Sequence, residues 1–86
     1  MATVFVFYDI AESGSWKYPT SMFPARWGWT GAGGTGSSKY PREEQFNGPL
    51  SSRAAMRRRL DAKFKSLRNK GVVRRYAIRS RYNVPK

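Results

Sequence analysis

Cysteine and histidine are both missing from the 86 residues, and acidic side chains number only five. The first absence removes disulfides, the usual soft ligands for zinc, copper or haem, and any Ser-His or Cys-His pair for nucleophilic catalysis. The second leaves no carboxylate cage for a hard cation, because Asp9, Glu12, Glu43, Glu44 and Asp61 are scattered along the chain. Long apolar runs are missing as well. The most apolar stretch near the start, "TVFVFY" at residues 3–8, is far below the roughly eighteen residues of a membrane span, and it lacks the positive flank of a signal peptide. No catalytic group, metal, cofactor, membrane or small-molecule substrate is therefore expected. A chain of this length buries only about 60% of its unfolded surface. With disulfide and metal staples unavailable, a partner surface is the remaining source of added stability.

What the sequence has is positive charge, placed unevenly. The net charge is +12, and within residues 1–50 Lys17, Arg26, Lys39 and Arg42 cancel Asp9, Glu12, Glu43 and Glu44. The excess lies in residues 51–86, where thirteen cations, most of them arginine, face Asp61 alone. Repulsion at that density opposes compaction unless a polyanion neutralises it. Nucleic acid fits, since Lys and Arg contacts to phosphate release counterions and arginine binds phosphate bidentately.

Residues 3–9 read as a short strand, apolar on both faces, that needs cover on each side or a groove in a partner. Between residues 11 and 50 seven aromatics (Trp16, Tyr18, Phe23, Trp27, Trp29, Tyr40 and Phe46) occur without periodicity, and Pro19, Pro24, Pro41 and Pro49 interrupt any helix. With the short strand at 3–9, residues 1–50 are thus expected to form an extended, neutral, aromatic-rich segment draped over neighbours, with Trp16, Trp27 and Trp29 as protein-contact anchors. Inside it, Gly31, Gly33 and Gly36 of "GAGGTGSSK" match G-x-G-x-x-G. Pro41 follows soon and no helix opens there, so a glycine-serine turn is expected instead of a nucleotide loop.

From Ser51 to Gly71 the residues are good helix formers, with a serine N-cap at Ser51 or Ser52 and Gly71 at the left-handed C-cap. Met56, Leu60, Phe64 and Leu67, spaced 4, 4 and 3, form one apolar stripe suited to docking on protein. Arg53, Arg57, Arg58, Arg59, Lys63, Lys65, Arg68 and Lys70 cover most of the rest and are the first candidates for RNA contact. Residues 72–86 read as a basic strand or an extended arm. With period two, Val72, Tyr76, Ile78 and Tyr82 share one side and Arg75, Arg79 and Arg81 the other, leaving Arg74 as the exception. Arg74, Arg75, Arg79, Arg81 and Tyr82 complete the RNA-binding set, because tyrosine and arginine planes also stack on unpaired bases.

In this last third the chain resembles the twenty-first protein of the small subunit of bacterial-type ribosomes, mitochondrial relatives included. The residues in that register are Leu60, Gly71, Val72, Val73, Arg74, Arg79, Tyr82 and Pro85. The family's acidic residue before the proline is replaced by Asn83, and its long basic helix beyond the proline has no counterpart before Lys86. The resemblance implies a structural constituent of the small subunit, with rRNA and neighbouring ribosomal proteins as partners. The implied location is a ribosome, mitochondrial in the first instance, with a bacterial cytoplasm or plastid as alternatives.

Two further classes fit the composition. One is a viral or phage structural protein whose basic half touches packaged genome. The other is an enzyme: "VFVFYDI", ending near Asp9, resembles the first strand of the small metal-dependent nucleases of CRISPR adaptation, where two such aspartates across a dimer hold magnesium. The intervening 40 residues do not suit that compact enzyme fold, and the expected fold class is a small, mostly irregular α+β chain. It would consist of one long basic helix with extended N-terminal and C-terminal arms and little core of its own.

Overall fold

The computed structural model describes residues 1–11 and 28–86, with the backbone alone at Trp29 and Ala32. Among the described residues, four strands and one helix follow each other as β1 (Ala2–Ile10), β2 (Gly28–Gly34), β3 (Arg42–Gly48), α1 (Arg53–Asn69) and β4 (Val73–Arg79), with a 3-10 turn at Leu50–Ser52 before the helix. Among the described residues the strands form one antiparallel sheet in the order β2-β3-β1-β4. The unit β3-α1-β4 therefore brackets β1, which is the split β-α-β arrangement.

The core arises because β1 is central and apolar on both faces. Its even-numbered residues Val4, Val6 and Tyr8 point toward α1. There they join Phe46 of β3, Val73 and Ile78 of β4, and the whole predicted helix stripe of Met56, Leu60, Phe64 and Leu67. Register fixes this layer, since Val4 faces Phe46 and Val6 faces both Glu44 and Ile78. On the opposite side Phe7 is fully buried. The chain bends back after β4 so that the Tyr82 ring meets Phe5 and Phe7 edge-on, at 5.6 and 5.5 Å between centroids. Each fully buried side chain of this size contributes about 1.5–3 kcal/mol.

The expectation of a mostly irregular chain with little core is overturned. Its radius of gyration is 12.2 Å, which matches the roughly 12 Å of a globular chain of this length. Strands β2, "GWTGAGG", and β3, "REEQFNG", carry little strand signal in sequence, because Thr30 is their one β-branched residue and neither alternates apolar with polar positions. They are strands because β1 supplies a template for β3 and β3 in turn for β2, and propensity counts for less than that context. The C-terminal arm is likewise part of the fold, as β4 plus a return segment over the sheet. Gly31 and Gly33 lie in β2 and Gly36, at φ +78°, in the turn after it, with no helix opening there.

The helix ends as its sequence predicts. Gly71 has φ +79°, its N–H donates to the Arg68 carbonyl at 3.1 Å, and the Val72 N–H donates to the Leu67 carbonyl at 3.0 Å. This is a Schellman closure. Ser52 occupies the N-cap position but makes no capping hydrogen bond with its side chain.

Candidate nucleic-acid interface

Because Met56, Leu60, Phe64 and Leu67 fix one side of α1 on the sheet, the remaining residues are placed by helical geometry. At about 100° per residue, Arg58, Ala62, Lys65 and Asn69 lie farthest from the stripe. Arg57, Asp61 and Arg68 occupy the flank beside β4, while Arg59, Lys63 and Lys70 occupy the other. Arg53, Arg57, Arg58, Arg59, Lys65, Arg68 and Lys70 are exposed and Lys63 is half-buried. Among the described residues Arg53, Arg58, Lys63, Lys65 and Lys70 make no ion pair.

Cations on the β4 flank are held in place. Arg57 donates to Ser80 Oγ at 2.8 Å. Arg68 stands 5.3 Å from the centroid of the Tyr76 ring, a cation–π contact. The Tyr76 hydroxyl donates to Asp61 Oδ1 at 2.8 Å, and its other neighbour is Phe64 at 5.8 Å. Burial, then the Asp61 hydrogen bond and charge, pushes the Tyr76 hydroxyl above its usual range, partly offset by Arg68. Tyr76 and Ser80 thus position arginines, a role that sequence did not reveal. Alternation marked Tyr76 as inward-facing, and nothing singled out Ser80.

At the far end of β4 the register shifts: Asp9 faces Arg75 and Ile10 faces Val73, leaving Arg74 without a partner. Such an extra residue is a β-bulge. It explains why Arg74 broke the two-residue period, and why Val73, not Val72, is the fully buried valine. Both arginines converge on one carboxylate, with Arg74 2.9 Å and Arg75 3.7 Å from Asp9 Oδ2. The Ala11 N–H continues the ladder to the Val72 carbonyl at 2.9 Å.

The thirteen residues predicted to touch RNA thus divide between surfaces. The helix cations form one face, with Arg74 exposed at the bulge. Arg75 and Arg79, paired with Asp9 and Phe5, belong to the sheet face opposite the helix, as does Tyr82. Arg81 is exposed in the return segment. Tyr82 does not share a side with Tyr76 and Ile78 as two-residue periodicity predicted, because β4 ends at Arg79. Of the protein-contact anchors, Met56, Leu60, Phe64 and Leu67 contact this chain's own sheet. Trp16, Trp27 and the side chain of Trp29 lie outside the described residues.

Two carboxylates are drawn inward. Glu44 is buried under α1 and accepts from the Tyr8 hydroxyl at 2.5 Å. Burial first, then Glu44, pushes the Tyr8 hydroxyl far above its ordinary value, with Arg42 opposing. On the opposite sheet face Glu43 is buried and accepts from Gln45 Nε2 at 3.2 Å, while its Oε2 has no hydrogen-bond partner among the described residues. Among the described residues no cluster of three or more Asp or Glu is placed to hold a metal ion, and no helix is long and apolar enough to cross a membrane.

No family model matches the chain, and comparison with curated proteins and solved structures returns no match.

Proposed function

We propose that the chain is a structural RNA-binding protein that holds RNA by phosphate contacts from the outer face and flanks of α1. The observation that carries this reading is the segregation of charge. Glu43 and Glu44 are buried, Asp9 is spent on Arg74 and Arg75, and Asp61 is spent on Tyr76, while the helix turns a field of cations outward. Phosphate contact releases counterions and supplies affinity without reading sequence. Nothing in such a role requires bond making or breaking. The likeness over the last third of the chain makes rRNA of a ribosomal small subunit the proposed RNA. It adds neighbouring ribosomal proteins as further partners and a ribosome, mitochondrial in the first instance, as the location.

Sedimentation of cell extracts tests the assignment. The protein should travel with small ribosomal subunits and leave them as salt is raised. Co-sedimentation with nucleocapsid-like particles, or migration as free protein at low salt, would overturn it.

A further inference from the structure

The RNA reading leaves open which form of RNA the helix face takes, and the surroundings of its cations bear on that. Proteins that hold unpaired strands combine a basic groove with exposed aromatic planes on which bases stack. Here the cations stand on the convex outer half of a 17-residue helix, about 25 Å long, with Arg58 and Lys65 outermost and a basic flank on either side. Among the described residues the aromatic beside this face is Tyr76, engaged by Phe64 on one contact, by Arg68 on another and by Asp61 at its hydroxyl. Among the described residues the large exposed apolar side chains are Met1, Leu50 and Tyr82. Tyr82 packs on Phe5 and Phe7, beneath the sheet and away from α1. Among the described residues the basic face therefore offers charge in three rows and no plane for a base.

We propose, resting on the RNA-binding reading, that the ligand of this face is double-stranded RNA, gripped through both phosphate backbones and without regard to base sequence. A duplex presents closely spaced charge from two strands, and its condensed counterions give a steeper salt dependence per contact than a single strand does. A-form RNA also hides its base edges in a deep, narrow major groove, so recognition falls to backbone and shape. Rows of arginine and lysine on a rod suit that surface.

Fluorescence anisotropy of the full chain decides it, using a mixed-sequence RNA hairpin with a long stem, a second hairpin of shuffled stem sequence, and an unstructured single strand of equal length. The duplex stems are expected to bind alike and about tenfold more tightly than the single strand at moderate salt. Tyr82→Leu, which keeps an apolar cap over Phe5 and Phe7, should leave all three affinities unchanged. Equal or tighter binding of the single strand, or loss of binding in Tyr82→Leu, would overturn the duplex proposal while the RNA reading stands. Failure of every RNA to bind would overturn both.

Discussion

Arg74 donates to Asp9 Oδ2 at 2.9 Å from the one position in β4 that the register with β1 skips. The bulge is what lets two consecutive arginines reach a single carboxylate. It also separates two functional readings of Asp9. In the nuclease reading the carboxylate holds a metal ion; in the structure it neutralises part of the basic surface. Asp9→Asn should therefore raise affinity for RNA. Because Arg74 is half-exposed, the stability cost should be at most about 1 kcal/mol. Titration binding curves beside thermal melts check both, and a metal-dependent cleavage activity abolished by this substitution would favour the enzyme.

Tyr8 and Glu44 form the second polar contact of consequence, inside the core. Tyr8→Phe removes a donor from a buried carboxylate and should cost about 1–3 kcal/mol at neutral pH. The hydroxyl ionises at 10.0 in its ordinary state and higher in the fold. The unfolded chain therefore loses this proton first, and stability falls as pH rises beyond 10.0. Denaturation midpoints between neutral pH and strong alkali should drop for the native protein, and less steeply for Tyr8→Phe. Parallel curves would contradict the assignment.

Gly71 sits at φ +79°, with nothing within 4 Å of the position a Cβ would take. Space is available, so the penalty for Gly71→Ala is conformational alone, about 1–2 kcal/mol. A urea melt would show it as a lower midpoint with unchanged slope.

Phe64 contacts both Tyr8 and Tyr76, at 5.1 and 5.8 Å, and is fully buried. Phe64→Ala should cost about 3–5 kcal/mol, a large share of what a domain of this size possesses. Since the sheet and helix share a core, circular dichroism of the isolated native chain should show strand and helix, with little gain on adding RNA. A large gain of helix on mixing would restore the picture of a chain that folds on its partner.

Helix α1 was legible residue by residue, from the 4-4-3 stripe to the glycine that closes it, because an amphipathic helix writes its packing into local spacing. Strand β1 was legible for the same reason, down to its need for cover on both faces. Strands β2 and β3 were not. The hydrogen bonds of β3 depend on β1, some forty residues away for pairs such as Val4 and Phe46, those of β2 depend on β3, and their glycines and glutamates carry no local strand signal. The basic residues were identified by type, yet their division between two surfaces was hidden. It depends on a bulge at Arg74, which shows in sequence only as an exception to the two-residue period, and on a chain reversal after Arg79, which leaves no periodic trace. Tyr82 was assigned to RNA on chemistry alone, and its packing on Phe5 and Phe7 appears only in three dimensions.

The salt dependence of RNA binding tests the central claim most directly. Arg58 and Lys65 are exposed, far from the core stripe and without ion pairs among the described residues, so Arg58→Gln with Lys65→Gln should shift stability by no more than about 0.5 kcal/mol. The slope of log affinity against log salt should become shallower by about two, one for each lost phosphate contact. An unchanged slope in the folded double variant would contradict the proposal that the outer face of α1 grips RNA.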